Sequence, residues 1–422
     1  MLGRKAAVRD QLTLHSTSSE ALIVNKWKSD RYITFVPPGE SGSLLSVVDP
    51  QLHAERRRLW EPSVTSKALR VYREVIQNRI QQLVSLLSQH QQEDINLSTW
   101  FSYFSFDVMG DLAFNGQFDV MRSGSMDFLN NLKGIKKALF IQDYMMVFTW
   151  LREYIPLVPQ KYMKAALWLR HFSTEAVLRR MQEGSKTKDF YYHLLNEEKL
   201  DQGSVLPLRV LIREAMLIIP AGYDSVANAI SHTFFHLLTN PVYFERLRDE
   251  VDQTFSNVDE IYLKDDLQNL PYLNAVINET LRLAPPLASG TQRYLPKGSA
   301  NGGVMLGNTW IPEGTYVQIH TYSLHRNPKY FSPDPEVFQP ERWLDKGYNT
   351  DKSAFIPFSY GPANCIGRQI ALIKLRKTLC VLLKTFNFEL SPEFDINKWN
   401  EGVMEQFTLG RGDLLVRIQK RG

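Results

Sequence analysis

A mainly α fold with a minor β part is what this chain of 422 residues predicts: a large helical body, a long central helix and small β sheets. Three observations carry that expectation. From about Gln51 to Leu281, apolar residues recur at three- and four-residue intervals, the spacing of one helical face. The run Leu206–Thr239 keeps this period throughout and stops at Asn240-Pro241, a terminating signal. Beyond Pro285-Pro286 the texture changes, and Gly302 to Gly314 reads as short strands with turns.

Taken in order, the spacing predicts a helix over Gln51–Trp60 and another over Tyr272–Leu283, closed by Pro285-Pro286. A strand is expected over Tyr316–Tyr322, then a Pro-rich coil from Asn327 to Trp343. A long apolar helix should start at Cys365, followed by short strands near Phe388 and Leu414–Ile418. Hydrophobic content of 44% is ample for one sizeable core. Net charge of only +4 leaves no basic arm, so nucleic acid is excluded as a partner. The two cysteines, Cys365 and Cys380, flank or share one helix; a ligand and a core residue fit better than a disulfide, and a reducing compartment fits both. The most apolar stretch, Ala138–Pro159, is interrupted by Gln142, Asp143, Arg152 and Glu153, too polar to span a membrane. Met1-Leu2-Gly3-Arg4-Lys5 lacks the apolar core of a signal peptide.

The segment Phe358-Ser359-Tyr360-Gly361-Pro362-Ala363-Asn364-Cys365-Ile366-Gly367 carries the chemistry. Its glycines permit backbone that a Cβ forbids, so peptide N–H groups can turn toward the sulfur. A helix beginning there would favour thiolate over thiol, and Phe358 can shield the sulfur from water. A lone cysteine in a Gly-Pro turn could equally be a structural core residue; it is the spacing that points to a metal ligand.

Three further constellations stand out. Glu279 and Arg282 lie three apart on one helical face and can pair. Ala221-Gly222-Tyr223-Asp224-Ser225 places small residues and a hydroxyl midway along the central helix, where the hydroxyl can bond a ladder carbonyl and open a local groove. His53 and Arg57 are four apart on their predicted helix and face the same way. Other signals fail. His232 and His236 have zinc-pair spacing but lack the intervening glutamate, so helix packing is expected. Gly298–Gly303 follows no phosphate-loop pattern, and Arg411-Gly412-Asp413 reads as a turn between terminal strands.

The cysteine segment resembles the haem-ligand loop of the cytochromes P450, with Ala363 standing where that family usually carries a basic residue. Glu279-Thr280-Leu281-Arg282 and Phe338-Gln339-Pro340-Glu341-Arg342-Trp343 resemble two more family motifs in the same order, and the chain looks most like microsomal fungal members. The resemblance implies a single domain over residues 1–422 lacking the usual N-terminal anchor, first helix and first strands; strand Tyr316–Tyr322 would then have an open edge. It implies haem b (iron protoporphyrin IX) with Cys365 as axial thiolate. Phe358, Gly361, Gly367, Ala221 and Gly222 would lie against the haem, with His53, Arg57 and Arg293 on its propionates. Asp224 and Ser225 would manage protons and oxygen, and Glu279, Arg282 and Arg342 would form a buried structural triad.

The implied function is a haem-thiolate monooxygenase that inserts one atom of O2 into an apolar small molecule. Electrons would come from NADPH through a flavoprotein reductase, steered by Lys374, Arg376, Lys377, Arg56 and Arg58. Its place would be the endoplasmic reticulum membrane, on the cytosolic face. Tyr144–Phe148, Trp150, Leu287–Thr291 and Phe407 are candidate pocket linings. A haem-binding remnant without turnover and a haem-thiolate isomerase or dehydratase are the alternatives.

Overall fold

The computed structural model describes residue 28 and residues 42–116, 118–145, 159–198, 206–264, 267–298 and 302–421. Its longer helices are α1 (Pro50–Trp60), α2 (Ser66–Leu87), α3 (Leu97–Phe114), α4 (Met126–Met145), α5 (Gln160–Glu183), α6 (Leu208–Leu238), α7 (Pro241–Thr254), α8 (Pro271–Leu283) and α9 (Arg368–Thr385). Local chemistry starts them. Asp49 caps α1 by accepting from the Leu52 amide at 2.7 Å, with Pro50 at the first position, where no N–H is needed. Tyr72, Ile76, Ile80, Leu83 and Leu87 form the buried stripe of α2. In α3 nearly every residue is buried, as expected of a helix that is apolar on all sides.

The central helix α6 is 31 residues long, roughly 46 Å at 1.5 Å per residue, and packs mainly along α3 and α5. Pro220 lies inside it and removes one ladder donor. Around it the large core joins α2, α3, α6, α7, α8 and α9.

The β part is small. Strands β1 (Asp94–Asn96), β11 (Leu415–Lys420) and β8 (Phe386–Leu390) form one antiparallel sheet in that order, with Ile95 opposite Val416 and Ile418 opposite Phe388. β2 (Gln292–Tyr294) pairs with β5 (Tyr316–Gln318), β3 (Gly303–Leu306) with β4 (Thr309–Pro312), β6 (Phe331–Ser332) with β7 (Asn349–Thr350), and β9 (Glu405–Gln406) with β10 (Thr408–Leu409). Lys28 bridges Arg293 on β2.

Several expectations need correction. Strand β5 ends at Gln318 and pairs with β2 on one side only, so among the described residues its other edge stays open as expected; Thr321–Leu324 is instead a helical turn closed by the Leu324 amide on the His320 carbonyl. Helix α9 starts at Arg368 with Gly367 as its cap, not at Cys365, because the turn through the cysteine uses the Cys365 amide to close on the Phe358 carbonyl. The charge patch proposed for a partner is largely interior. Lys374, Lys377 and Arg56 are buried, leaving Arg58 exposed and Arg376 half-buried, because α9 is enclosed by α2, α6, α7, α8 and the helix Val258–Leu263. Among the described residues no helix is long and apolar enough to cross a membrane. His232 and His236 pack as rings: His236 stacks on Phe338 at 4.5 Å and His232 meets Trp399.

Candidate active site

The cysteine loop is built by its backbone. Ser359 and Gly361 adopt positive φ (59° and 81°), and the Asn364 amide closes on the Gly361 carbonyl at 3.0 Å. Cys365 ends in a crevice, its sulfur reachable by solvent while protein surrounds its other sides. Burial pushes its thiol up; the Gly367 amide, Arg57 and Arg368 act in the opposite direction. A bound cation would reverse that balance and hold the thiolate. Phe358 is half-buried under the Arg368 guanidinium, 5.8 Å from its ring centroid.

Arg57 grips this loop through two bonds to Asn364, at 2.9 Å to the carbonyl and 2.6 Å to Oδ1. Beside it converge His53, Arg293 and Lys28. Burial, then Lys28, Arg57 and Arg293, pull the His53 imidazole down to about 4. Burial, then Arg293, pull Lys28 down to about 7, with Arg57 adding and Glu214 opposing. Lys28 donates to the Leu44 and Leu45 carbonyls at 2.6 and 3.0 Å. Converging cations that depress one another make a cradle for anions, which fits the two carboxylates of a haem. Lys28 escaped the sequence reading because a lone lysine before the first predicted helix carries no signal. Arg56, next to Arg57, turns inward to Glu214 at 3.3 Å.

On α6, Gly222 is a close approach: an added Cβ would lie 2.4 Å from Met109. Ala221 is exposed although it sits mid-way along a core helix, so a crevice opens against this point. Ser225 Oγ donates to the Ala221 carbonyl at 2.6 Å. Asp224 points elsewhere. Its carboxylate meets Lys136 Nζ on α4 at 2.9 Å, Asn228 at 3.2 Å, the Thr408 hydroxyl, and Arg411 at 3.7 Å. Burial alone would raise Asp224; Lys136 and Arg411, then the Thr408 bond, outweigh it and hold the carboxyl below its usual value. Arg411 thus does more than mark a turn, bonding Asn228 and Ser102 as well.

Glu279, Arg282 and Arg342 meet in the interior. Glu279 Oε1 accepts from Arg282 Nη2 at 2.8 Å and Arg342 Nε at 3.0 Å, and Oε2 accepts from Arg282 Nε and Trp343. Arg282 also donates to the His325 carbonyl, and Arg342 to Asp334. Of the suggested pocket linings, Phe407 sits half-buried at the β9–β10 turn, and Ser289 is fastened to Glu405 at 2.8 and 2.5 Å. The side chain of Tyr144, residues 146–148 and Trp150 lie outside the described residues.

The family model for cytochrome P450 matches residues 13–414. The chain belongs to the cytochrome P450 family. It is 33% identical over 380 residues to cytochrome P450 monooxygenase FCK2 of Fusarium pseudograminearum, covering 88% of this chain and 66% of that protein. It is 34% identical over 361 residues to cytochrome P450 monooxygenase prhB of Penicillium brasilianum, covering 83% and 71%. With the tryprostatin B 6-hydroxylase of Aspergillus fumigatus it shares 30% over 384 residues, covering 90% and 67%. The chain thus spans about two thirds of the length of these relatives. Membership of the family implies haem on a cysteine thiolate, and Cys365 with its cationic cradle is the place in this chain that suits it.

Proposed function

We propose that this P450 is a haem-thiolate monooxygenase that inserts one oxygen atom of O2 into an apolar small molecule, with electrons from NADPH through a flavoprotein reductase. The observation that carries the reading is a crevice cysteine with the Gly367 amide on its sulfur and, beside it, a cradle of Lys28, Arg57 and Arg293 around His53. The relatives' names, two monooxygenases and one hydroxylase, support the reaction class. Haem bound through a thiolate supplies the activation of dioxygen.

The chain's own residues do the rest. Cys365 would hold the haem iron through its sulfur, and the Gly367 amide would moderate the charge on that sulfur. Lys28, His53, Arg57 and Arg293 would hold the haem carboxylates. Ser225 keeps its hydroxyl proton on the Ala221 carbonyl, at the point where α6 opens. Phe407 and the segment 287–291 are the lining that we assign to the substrate side, where they would exclude water. A location on the cytosolic face of the endoplasmic reticulum is carried over from the resemblance.

One observation favours the second reading, an isomerase or dehydratase that needs no external electrons: Asp224 is committed to Lys136, Thr408 and Arg411 rather than to the groove. Reduced protein under carbon monoxide tests the first requirement. A strongly red-shifted Soret band is expected, and Cys365→Ser should abolish it; a band of the histidine-ligated kind in the parent protein overturns the assignment. Substrate-dependent NADPH consumption with a reductase then separates the monooxygenase from the isomerase.

A further inference from the structure

Lys374 sits on α9, nine residues beyond Cys365, and is 1% exposed. Its ammonium donates to the Gly222 carbonyl of α6 at 3.2 Å. A lysine is almost never buried so completely without an acid partner, and the acids on the elements packed around α9 are committed or remote. On α6, Glu214 is held by Arg56 and the Leu44 amide, and Asp224 by Lys136, Thr408 and Arg411. On α7, Glu250 caps α8 through the Tyr272 and Leu273 amides, and Asp252 binds Lys384 and Arg421. Glu279 on α8 is taken by its two arginines. Glu74 on α2, Asp259 on the helix 258–263 and Glu389 on β8 are exposed, and Glu260 binds the Ser256 amide.

The contact falls where α6 is already altered. Pro220 lacks an N–H, the Ala221 carbonyl takes the Ser225 hydroxyl, and the Gly222 carbonyl takes Lys374. Three consecutive residues therefore depart from a plain ladder, and a donor inserted there is one of the recognised causes of local helix opening.

We propose that Lys374 is a positioning residue of the groove on α6, acting through the Gly222 carbonyl beside it. The inference rests on the haem-thiolate reading and deepens it. Burial alone lowers Lys374 to about 7, so the charge that it sets on the Gly222 carbonyl changes near neutrality. Below that value the ammonium is fixed on Gly222 O; above it a neutral amine remains and the groove loses a positive charge.

The test needs no substrate. The optical spectrum of the ferric, haem-loaded protein is followed from about pH 6 to about pH 9, a window that brackets the lowered lysine. The parent should show a spin-state transition near neutrality. Lys374→Met should lose most of its amplitude and keep the high-pH spectrum throughout, while Lys374→Arg should hold the low-pH form. Lys28 and Glu214 are also brought to about 7, so the transition is assigned to Lys374 only by the amplitude that Lys374→Met removes. An unchanged amplitude in Lys374→Met overturns the proposal, as does a parent spectrum without a transition. Should the Met variant fail to load haem, Lys374→Gln replaces it, and the parent titration still decides. A thiolate-type band under carbon monoxide with no such transition sinks this inference alone; absence of that band sinks the haem-thiolate reading first.

Discussion

Two buried, arginine-bearing clusters behave in opposite ways. Around Glu279 the charges close on themselves: one carboxylate receives Arg282, Arg342, Trp343 and the Gln339 amide, and the remaining guanidinium donors go to backbone carbonyls. Around His53 like charges face one another. Burial first, and then the neighbouring cations, pull Lys28 to about 7 and His53 to about 4. A saturated cluster is a fastening, whereas a gathering of like charges suits something with the opposite charge. The difference distinguishes structural from ligand-binding arginines without reference to any motif.

The sharpest way to break that comparison is to unbalance the fastening. Glu279→Gln leaves two guanidiniums buried without their carboxylate, at an expected cost of about 3–5 kcal/mol. Urea unfolding should show it as a large drop in midpoint; a loss under about 1 kcal/mol, the scale of exposed pairs, would mean that the knot is not a closed unit.

The cradle should respond with the other sign. Lys28→Met removes a repelled cation, so the haem-free chain should hold its stability or gain. Haem retention should fall by the scale of one charge-assisted bond, about 1.5–3 kcal/mol, read by haem transfer to an acceptor globin. The pH dependence follows from linkage. Lys28 stands at about 7 in the chain without its anion, and a bound carboxylate raises it. Its contribution to haem affinity is therefore full below about 7 and is lost as pH rises through the higher bound value. Affinity that is flat between neutral and alkaline pH would remove Lys28 from the cradle.

Legibility in the sequence follows how close a residue's partners lie along the chain. The central helix, expected over 206–239, occupies Leu208–Leu238, because its period and its Asn-Pro stop are local. Glu279 and Arg282 share one helical turn, so their pairing could be read from spacing. Asp224 could not be placed that way. Its partners Lys136, Thr408 and Arg411 come from distant segments, and only the fold shows that they arrive together. Lys374 and Lys377 misled for a related reason: polarity suggested a solvent face, but α9 is enclosed on nearly every side.

Asp224 gives a third, milder case: saturated like Glu279, yet located at the groove. Lys136→Met leaves Arg411, Thr408 and Asn228 in place, so a cost of about 1–2 kcal/mol is expected. The acid side should reveal it. Because Asp224 is held below its ordinary value, its contribution is present above the unfolded carboxyl range and is lost as pH falls through the lowered folded value. Acid titration of stability should therefore be shallower in the variant; an unchanged acid limb would show that Lys136 does not hold the carboxylate.

The smallest effect belongs to the surface. Arg58 is exposed, whereas Arg56 beside it is buried against Glu214. Charge reversal by Arg58→Glu should leave stability within about 0.5 kcal/mol, as for surface substitutions generally. If an acidic reductase docks on this side, the reversal should slow its association, and the slowing should shrink as salt is added, since exposed charges are screened within roughly 10 Å at 0.1 M. Arg56→Glu, by contrast, sets two buried acids against each other and should unfold the α1–α6 contact before any partner is met. Equal outcomes for these two neighbours would contradict the burial that separates a steering charge from a structural one.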